Sequence, residues 1–103
     1  MTGLVAVYGF GSAFGSVEAA NDIDLLIIHC GDNPASCQFA ITCKRRLTAC
    51  TSRVHITMLS EAEEAYFEFI KTAKAVRLGT IRQAMFEEDI TTLGSALPTW
   101  GAT

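Results

Sequence analysis

Three stretches of the chain carry the hydrophobic pattern of β-strands. Residues 4–8 and 22–29 are mainly apolar runs with the length of buried strands. Residues 53–59 instead alternate between apolar and polar positions, so His55 and Thr57 share the face opposite to the apolar side chains. The pattern therefore predicts three strands, of which the first two are buried.

Helix-start signals follow the second and third strands. Asn33 and Pro34 are typical of an N-cap and a first helical position, and apolar residues then recur at helical spacing. Ser60 and Glu63 form a capping box that predicts a further helix. The apolar stripe of that helix is Ala62, Tyr66, Phe69, Ile70 and Ala73.

The last part of the chain is predicted to be helical after a break at Gly79. Thr80 and Gln83 match a second capping box, which predicts a final helix over residues 81–93 that ends at Gly94. The order β, β, α, β, α, α is typical of an α/β (α+β) fold, with a small mixed β-sheet covered by helices. Residues 1–103 are predicted to form a single domain, with 97–103 as a tail.

The most informative polar residues lie at the connection between the first two strands. Gly11-Ser12 follows the first strand, and Asp22-Ile23-Asp24 opens the second after nine intervening residues. Residues two apart in a strand point to the same face, so Asp22 and Asp24 project side by side and repel unless a cation lies between them. Backbone N–H groups of a glycine-serine turn can hold a phosphate. The pattern indicates metal-dependent chemistry on a nucleoside triphosphate.

This arrangement resembles the minimal nucleotidyltransferase domain of the DNA polymerase beta superfamily, in which Gly-Ser precedes Asp-x-Asp at the start of a strand. The local match covers residues 4–28, and the order of elements extends it to about residue 76. By this resemblance Asp22 and Asp24 are catalytic and hold Mg²⁺, while the Gly11 backbone and the Ser12 hydroxyl bind the β- and γ-phosphates of ATP or another nucleoside triphosphate. The implied reaction transfers a nucleoside monophosphate, most often AMP, to an acceptor hydroxyl.

The third carboxylate of that family has no acidic counterpart at the expected place. It normally lies on the next core strand, on the face of the acidic pair, where this chain has His55 and Thr57. His55 is the best match, and it either accepts a proton as a base or has no catalytic part. Glu18 is a further candidate carboxylate. The alternative hypothesis is therefore a degenerate, non-catalytic domain that binds a nucleotide or a partner protein, and a structural domain without a ligand is the third.

The resemblance also carries expectations about partners. Family members of this size often act as antitoxins that modify a HEPN-domain toxin, or work beside a separate helical subunit. They usually carry a helix before the first strand, whereas the first predicted strand here begins at residue 4. The resemblance therefore implies a helical HEPN-type partner, a homodimer, or a truncated or divergent version of the domain.

Composition narrows the function classes. The 103 residues suffice for one domain, and a hydrophobic share of 50% with 18% charged residues supports a packed core. The net charge of −3 argues against general nucleic-acid binding. No apolar run reaches the roughly 18 residues of a membrane span. The N-terminus lacks a basic region followed by a hydrophobic signal, so a cytoplasmic location is expected.

The four cysteines are separated by seven, six and seven residues, at Cys30, Cys37, Cys43 and Cys50. They form no CxxC pair, which disfavours a zinc knuckle. Buried thiols in a reducing cytosol are the favoured interpretation, and a redox or metal site is the alternative.

Charged and aromatic side chains outside the motif have structural interpretations. Lys44-Arg45-Arg46 is predicted to be the solvated face of a helix, with phosphate or RNA contact as the alternative. Arg77 and Arg82 are predicted to form surface ion pairs, with contact to a triphosphate as the alternative. The aromatic residues interpreted as core or dimer contacts, rather than as a base-stacking platform, are Tyr66, Phe67 and Phe69.

Overall fold

The chain folds into strands and helices in the order β1 β2 α1 β3 α2 α3 β4 α4, seen in a computed structural model that describes residues 3–11, 23–31, 34–50 and 54–96. The described elements are β1 (Leu4–Phe10), β2 (Ile23–His29), α1 (Pro34–Cys50), β3 (Val54–Ser60), α2 (Glu61–Phe67), α3 (Phe69–Ala73), β4 (Val76–Arg82) and α4 (Phe86–Ala96). A short 3-10 turn, Gln83–Met85, precedes α4. This is the predicted mixed α+β class, and the three predicted strands and the helix beginning at Pro34 are confirmed.

The four described strands form one mixed sheet in the order β3-β2-β1-β4. β1 lies between β2 and β4 and is antiparallel to both, whereas β3 pairs with β2 in parallel. A parallel pair cannot be joined by a tight turn, and α1 accordingly lies in the connection between β2 and β3. This topology places the end of β1 and the beginnings of β2 and β3 at the same edge of the sheet.

The hydrophobic core lies on one face of this sheet, beneath α1 and α4. Alternate residues of β1 and β2 point into it, as a period of two requires. The buried members of the core are Val5, Val7, Ile23, Leu25, Ile27, Phe39, Ala40, Cys43, Leu47, Ile81, Ile90 and Leu93. Val54, Ile56 and Met58 of β3 pack against this cluster, which confirms the predicted apolar face of that strand.

The second face of the sheet is covered by α2 and by the residues that follow it. α2 contacts β2 and β3, and the ring of Phe69 packs edge-to-face on Phe10 with centroids 5.0 Å apart. Ser60 and Glu63 form the predicted capping box: the Ser60 hydroxyl accepts from the Glu63 N–H, and the Glu63 carboxylate accepts from the Ser60 N–H. This cap fixes the direction in which α2 leaves β3.

The prediction for residues 76–83 is wrong. We expected a break at Gly79 and a helix from residue 81, but Val76–Arg82 is strand β4, paired with β1. Thr80 accepts a hydrogen bond from Arg77 instead of capping a helix, and Ile81 is buried in the core. Pairing with β1 satisfies the backbone groups of both strands, a non-local gain that outweighs the local cap signal.

The last two helical predictions need smaller corrections. The helix that begins after Ser60 breaks at Glu68, whose left-handed backbone (φ 52°) separates α2 from α3. The Glu64 carboxylate accepts from the Ile70 N–H across this break, which supplies the new helix start with an acceptor. The final helix begins at Phe86 rather than at residue 81, and Gly94 lies within it. In the described residues, no helix combines the length and apolar character needed to cross a membrane.

Candidate functional site

Three of the residues predicted to carry function lie together at one edge of the sheet. Phe10, the last residue of β1, is opposite Asp24 in the antiparallel β1–β2 pair. Asp24 is in turn opposite His55 in the parallel β2–β3 pair. Since directly opposed residues share a face, Asp24 and His55 lie side by side, and Gly11 follows Phe10 above them. The sheet register thus brings Gly11, Asp24 and His55 together.

Gly11 contacts the carboxylate of Asp24 through its bare backbone. Its φ of +80° is left-handed, a conformation that glycine adopts without steric cost. A Cβ at this position would lie 2.5 Å from Oδ2 of Asp24, closer than nonbonded atoms can approach. The turn after β1 therefore passes directly over the acid, and only a residue without a side chain allows this approach.

Asp24 and His55 lie close together, with no hydrogen bond between their side chains. Oδ1 of Asp24 lies 3.8 Å from Nδ1 of His55, which is within ion-pair range but too long for a hydrogen bond. The Asp24 side chain is 30% exposed and that of His55 is 67% exposed, so both are accessible to a ligand. Ile23 and Leu25 are buried in the core on the opposite face, as the alternation predicts. The predicted orientation of Asp24 away from the core is confirmed.

The remaining motif residues, Ser12 and Asp22, lie outside the described residues, as does Glu18. Within the described part of the chain, no group of three or more histidine, cysteine, aspartate or glutamate side chains is placed to hold a metal ion. Asp24 is therefore the carboxylate around which a metal site at this edge would be built. An ion there would need Asp22, substrate oxygens or water to complete its coordination.

The three aromatic residues of α2 and α3 differ in how far they are buried. Phe69 packs on Phe10, as its interpretation as a core contact predicts. Tyr66 and Phe67 contact each other with centroids 5.0 Å apart, but 82% and 58% of their respective surfaces are exposed. The alternative that these two residues are core contacts is wrong, and the alternative that they are dimer contacts stays a prediction.

The arginines have different environments. Arg46 forms a bidentate ion pair with Glu87, and Arg82 forms a bidentate ion pair with Asp89. The Arg82 prediction is confirmed, and Lys44 and Arg45 are exposed on α1 as expected. Arg77, in contrast, lies over the ring of Tyr8, with Cζ 5.9 Å from the ring centroid. Its place on the face of Asp24 could not be read from residue spacing.

The described cysteines and His29 have mainly structural surroundings. Cys43 is fully buried, and burial raises the pKa of its thiol to about 12. Cys30 and Cys37 are partly exposed. His29 is buried, with Nδ1 within 3.0 Å of the Gly31 carbonyl oxygen. These contacts support packing roles for Cys43 and His29.

Comparison with known proteins finds no matching family model, no matching curated protein and no matching solved structure. The fold class is defined by the structure itself.

Proposed function

We propose that this chain is a nucleotidyltransferase-like protein that binds a nucleoside triphosphate with Mg²⁺ and transfers a nucleoside monophosphate, AMP when the donor is ATP, to an acceptor hydroxyl. The observation that carries the proposal is the contact between Gly11 and Asp24. The glycine of the predicted phosphate turn and an acid of the predicted metal pair lie against each other. A single ligand with a metal-bound phosphate could therefore contact both.

The donor chemistry suits Mg²⁺. This ion prefers hard oxygen ligands and uses one or two protein carboxylates together with phosphate oxygens and water. Asp24 offers an accessible carboxylate, and Asp22 would supply the second. When bound, Mg²⁺ would neutralise charge on the phosphates and stabilise the departing pyrophosphate. The protein contributes position: Gly11 N–H and the Ser12 hydroxyl would orient the phosphates toward the acids.

His55 takes the place of the missing third carboxylate. A neutral imidazole can accept the proton of an acceptor hydroxyl. The carboxylate of Asp24, 3.8 Å away, would stabilise the imidazolium that results. His55 is accessible enough to meet an acceptor from solvent, which supports its assignment as the base.

The test is calorimetric titration of ATP into the purified protein with and without Mg²⁺. We expect metal-dependent binding that is lost in the double variant Asp22→Asn/Asp24→Asn and kept in Glu88→Gln, an exposed change on α4. Transfer of labelled nucleotide should follow the same pattern, and circular dichroism should show that all three proteins fold. An ATP affinity that is the same with and without Mg²⁺, and the same in the double variant as in wild type, would contradict the proposal.

The second candidate is a non-catalytic domain that binds a nucleotide or a partner protein, and the histidine at position 55 favours it. Imidazole is a poor Mg²⁺ ligand, so a second metal would be weakly held there. A measurement of nucleotide transfer by wild type and by His55→Ala separates the two hypotheses. Transfer that falls strongly in His55→Ala supports the enzyme. Nucleotide binding without transfer in either protein supports the binding domain.

The proposal extends to partners by the same resemblance. A helical HEPN-type protein, modified as a toxin by its antitoxin, is the proposed protein partner, and a homodimer is the alternative. The exposed pair Tyr66 and Phe67 supports the presence of such a contact, because large aromatic residues are enriched at interfaces. Co-purification with a helical partner, tested against Tyr66→Ser/Phe67→Ser, would decide between a complex and an isolated chain.

A further inference from the structure

The register of β4 changes next to the candidate site. Val7 is opposite Gly79, but the next residue of β1, Tyr8, is opposite Arg77. Leu78 is therefore an extra residue in β4, which is the definition of a β-bulge. Leu78 packs against the hydrophobic core. Bulges re-aim the side chains that follow them, and they are over-represented next to active sites.

The bulge moves Arg77 to the face of Asp24. In an unbroken strand, Arg77 would share the core face with Gly79 and Ile81, since residues two apart point the same way. With Leu78 inserted, Arg77 is instead level with Tyr8, which shares its face with Phe10. The guanidinium lies over the Tyr8 ring at 5.9 Å, and its Nη2 donates to Thr80 Oγ1 at 2.6 Å. These two contacts hold the Arg77 guanidinium on the face of the sheet that carries Asp24.

Arg77 differs from Arg46 and Arg82 in having N–H donors that no carboxylate occupies. The guanidinium groups of Arg46 and Arg82 each donate two hydrogen bonds to a carboxylate. Within the described residues, Arg77 has no carboxylate partner, and only one of its five N–H groups is used by Thr80. An exposed, oriented guanidinium with free donors matches the oxygens of a phosphate.

The position of Arg77 relative to the site fits a polyphosphate rather than a single phosphate. Asp24 lies on β2 and Arg77 on β4, so β1 separates them and their backbones are about 10 Å apart across the strands. Arg77 is opposite Tyr8, two residues before Phe10, which is opposite Asp24. A chain of phosphates that starts at Asp24 and passes Phe10 would approach Arg77 at its far end.

We infer that Arg77 binds the terminal phosphates of a polyphosphate ligand that also contacts Gly11 and Asp24. In the proposed reaction, these are the phosphates that leave as pyrophosphate. Arg77 would hold the leaving group in position and offset its charge, without touching the atoms that gain the new bond. The inference rests on the proposed function for the identity of the ligand, but the anion site can be tested by itself.

Arg77→Gln and Arg45→Gln form a matched pair for the test. Both remove one positive charge from an exposed arginine, and Arg45 lies on α1, over the opposite face of the sheet. The probes are Mg-ATP, AMP and inorganic tripolyphosphate, each titrated calorimetrically. We expect Arg77→Gln to weaken Mg-ATP and tripolyphosphate about tenfold or more, the effect of losing charge-assisted hydrogen bonds. Its AMP binding should match wild type, and Arg45→Gln should bind all three probes normally.

Each result separates this inference from the proposed function. Equal Mg-ATP and tripolyphosphate affinities in wild type, Arg77→Gln and Arg45→Gln would overturn the role of Arg77, while binding lost in Asp24→Asn would leave the nucleotidyltransferase proposal standing. Tripolyphosphate binding that depends on Arg77, without metal-dependent ATP binding, would establish the anion site and overturn the proposed function. Wild-type protein that binds no tripolyphosphate would overturn the anion site. Arg77→Lys should recover only part of the affinity, because lysine keeps the charge without the planar fork.

Discussion

Gly11 and Asp24 are in direct contact at the edge of the sheet, so close that a Cβ on Gly11 would lie 2.5 Å from Oδ2 of Asp24. Two constraints therefore act on one residue, the positive φ of 80° and the space taken by the carboxylate. A turn fixed in this way holds its backbone N–H groups in one orientation relative to the acid. Because of this contact, we expect an added methyl group at residue 11 to lower the stability of the fold.

Gly11→Ala should destabilise the protein by at least about 1–2 kcal/mol, the cost of left-handed backbone for a residue with a Cβ. Displacement of the Asp24 carboxylate adds to that cost. Gly79→Ala is the control, because its Cβ would meet only the side chain of Leu93, with Cδ2 at 3.2 Å and Cγ at 3.7 Å, and alanine is better than glycine in a strand. Its effect should stay within about 1 kcal/mol. Urea unfolding measures both, and equal losses would contradict the proposed strain at Gly11.

The capping box at Ser60 should contribute measurably to stability. The nearly buried Ser60 hydroxyl accepts from the Glu63 N–H at 3.1 Å, so Ser60→Ala should cost about 1 kcal/mol. Glu63→Ala removes the reciprocal bond, whereas Glu63→Gln keeps an acceptor and should cost less. Ser95→Ala, at an exposed hydroxyl that donates to the Thr91 carbonyl within α4, is the matched control. Thermal unfolding in which Ser60→Ala and Ser95→Ala behave alike would refute the contribution of the cap.

Much of the fold could be predicted because its signals are local. Alternation around Val54, the proline at the start of α1 and the Ser60 capping box each depend on a few neighbouring residues. β4 could not be predicted in this way. Its glycine and threonine resemble a helix boundary, and only pairing with β1, more than 60 residues earlier in the chain, makes Val76–Arg82 a strand.

The candidate site shows the same division. The apolar pattern places Asp24 and His55 on two strands, and the family resemblance implies that they share a face. In the register of β2 and β3 the two residues are directly opposed. The sequence identifies Arg77 as a candidate phosphate contact but does not predict the face of the sheet on which it lies. One extra residue in β4 decides that face. A bulge depends on how two distant strands align, and residue spacing within one strand carries no record of that alignment.

Cys43 should be unreactive in the folded protein. Burial raises the pKa of its thiol to about 12, so almost no thiolate forms at pH 8. In a titration with Ellman's reagent, Cys43→Ala should leave the native count of reactive thiols unchanged. The same variant should lower the count in guanidinium from the four cysteines of the chain to three. Cys37→Ala, at a partly exposed position, should change the native reaction and serves as the control.

Alkaline pH provides a second test of Cys43. Its thiol stays protonated in the folded state above its ordinary pKa of 9.0, whereas the unfolded chain loses that proton. Its contribution to stability is therefore complete below about pH 9 and declines as the pH rises toward 12. Cys43→Ala should remove this part of the pH dependence. An identical alkaline slope in wild type and variant would show that the thiol is not protected from ionisation.

The ion pair between Arg82 and Asp89 joins the end of β4 to the first turn of α4, and acid should weaken it. The Arg82 guanidinium donates twice to the carboxylate, the Arg82 backbone N–H donates once more, and together they hold the pKa of Asp89 below its ordinary value. Because the folded pKa is lowered, the contribution to stability is complete above the unfolded pKa of about 3.9 and is lost as the pH falls through the folded value.

Asp89→Asn should therefore lower the melting temperature at pH 7, and the gap to wild type should close as the pH is reduced below about 4. Glu88→Gln makes the same charge change one residue away, at a side chain that does not bond the guanidinium, and should lower the melting temperature little at any pH. Arg82→Gln should match Asp89→Asn at pH 7, and the double variant should cost less than the sum of the two, because each single substitution removes the same contact. A gap between wild type and Asp89→Asn that persists unchanged at pH 2 would show that the carboxylate charge does not connect β4 to α4.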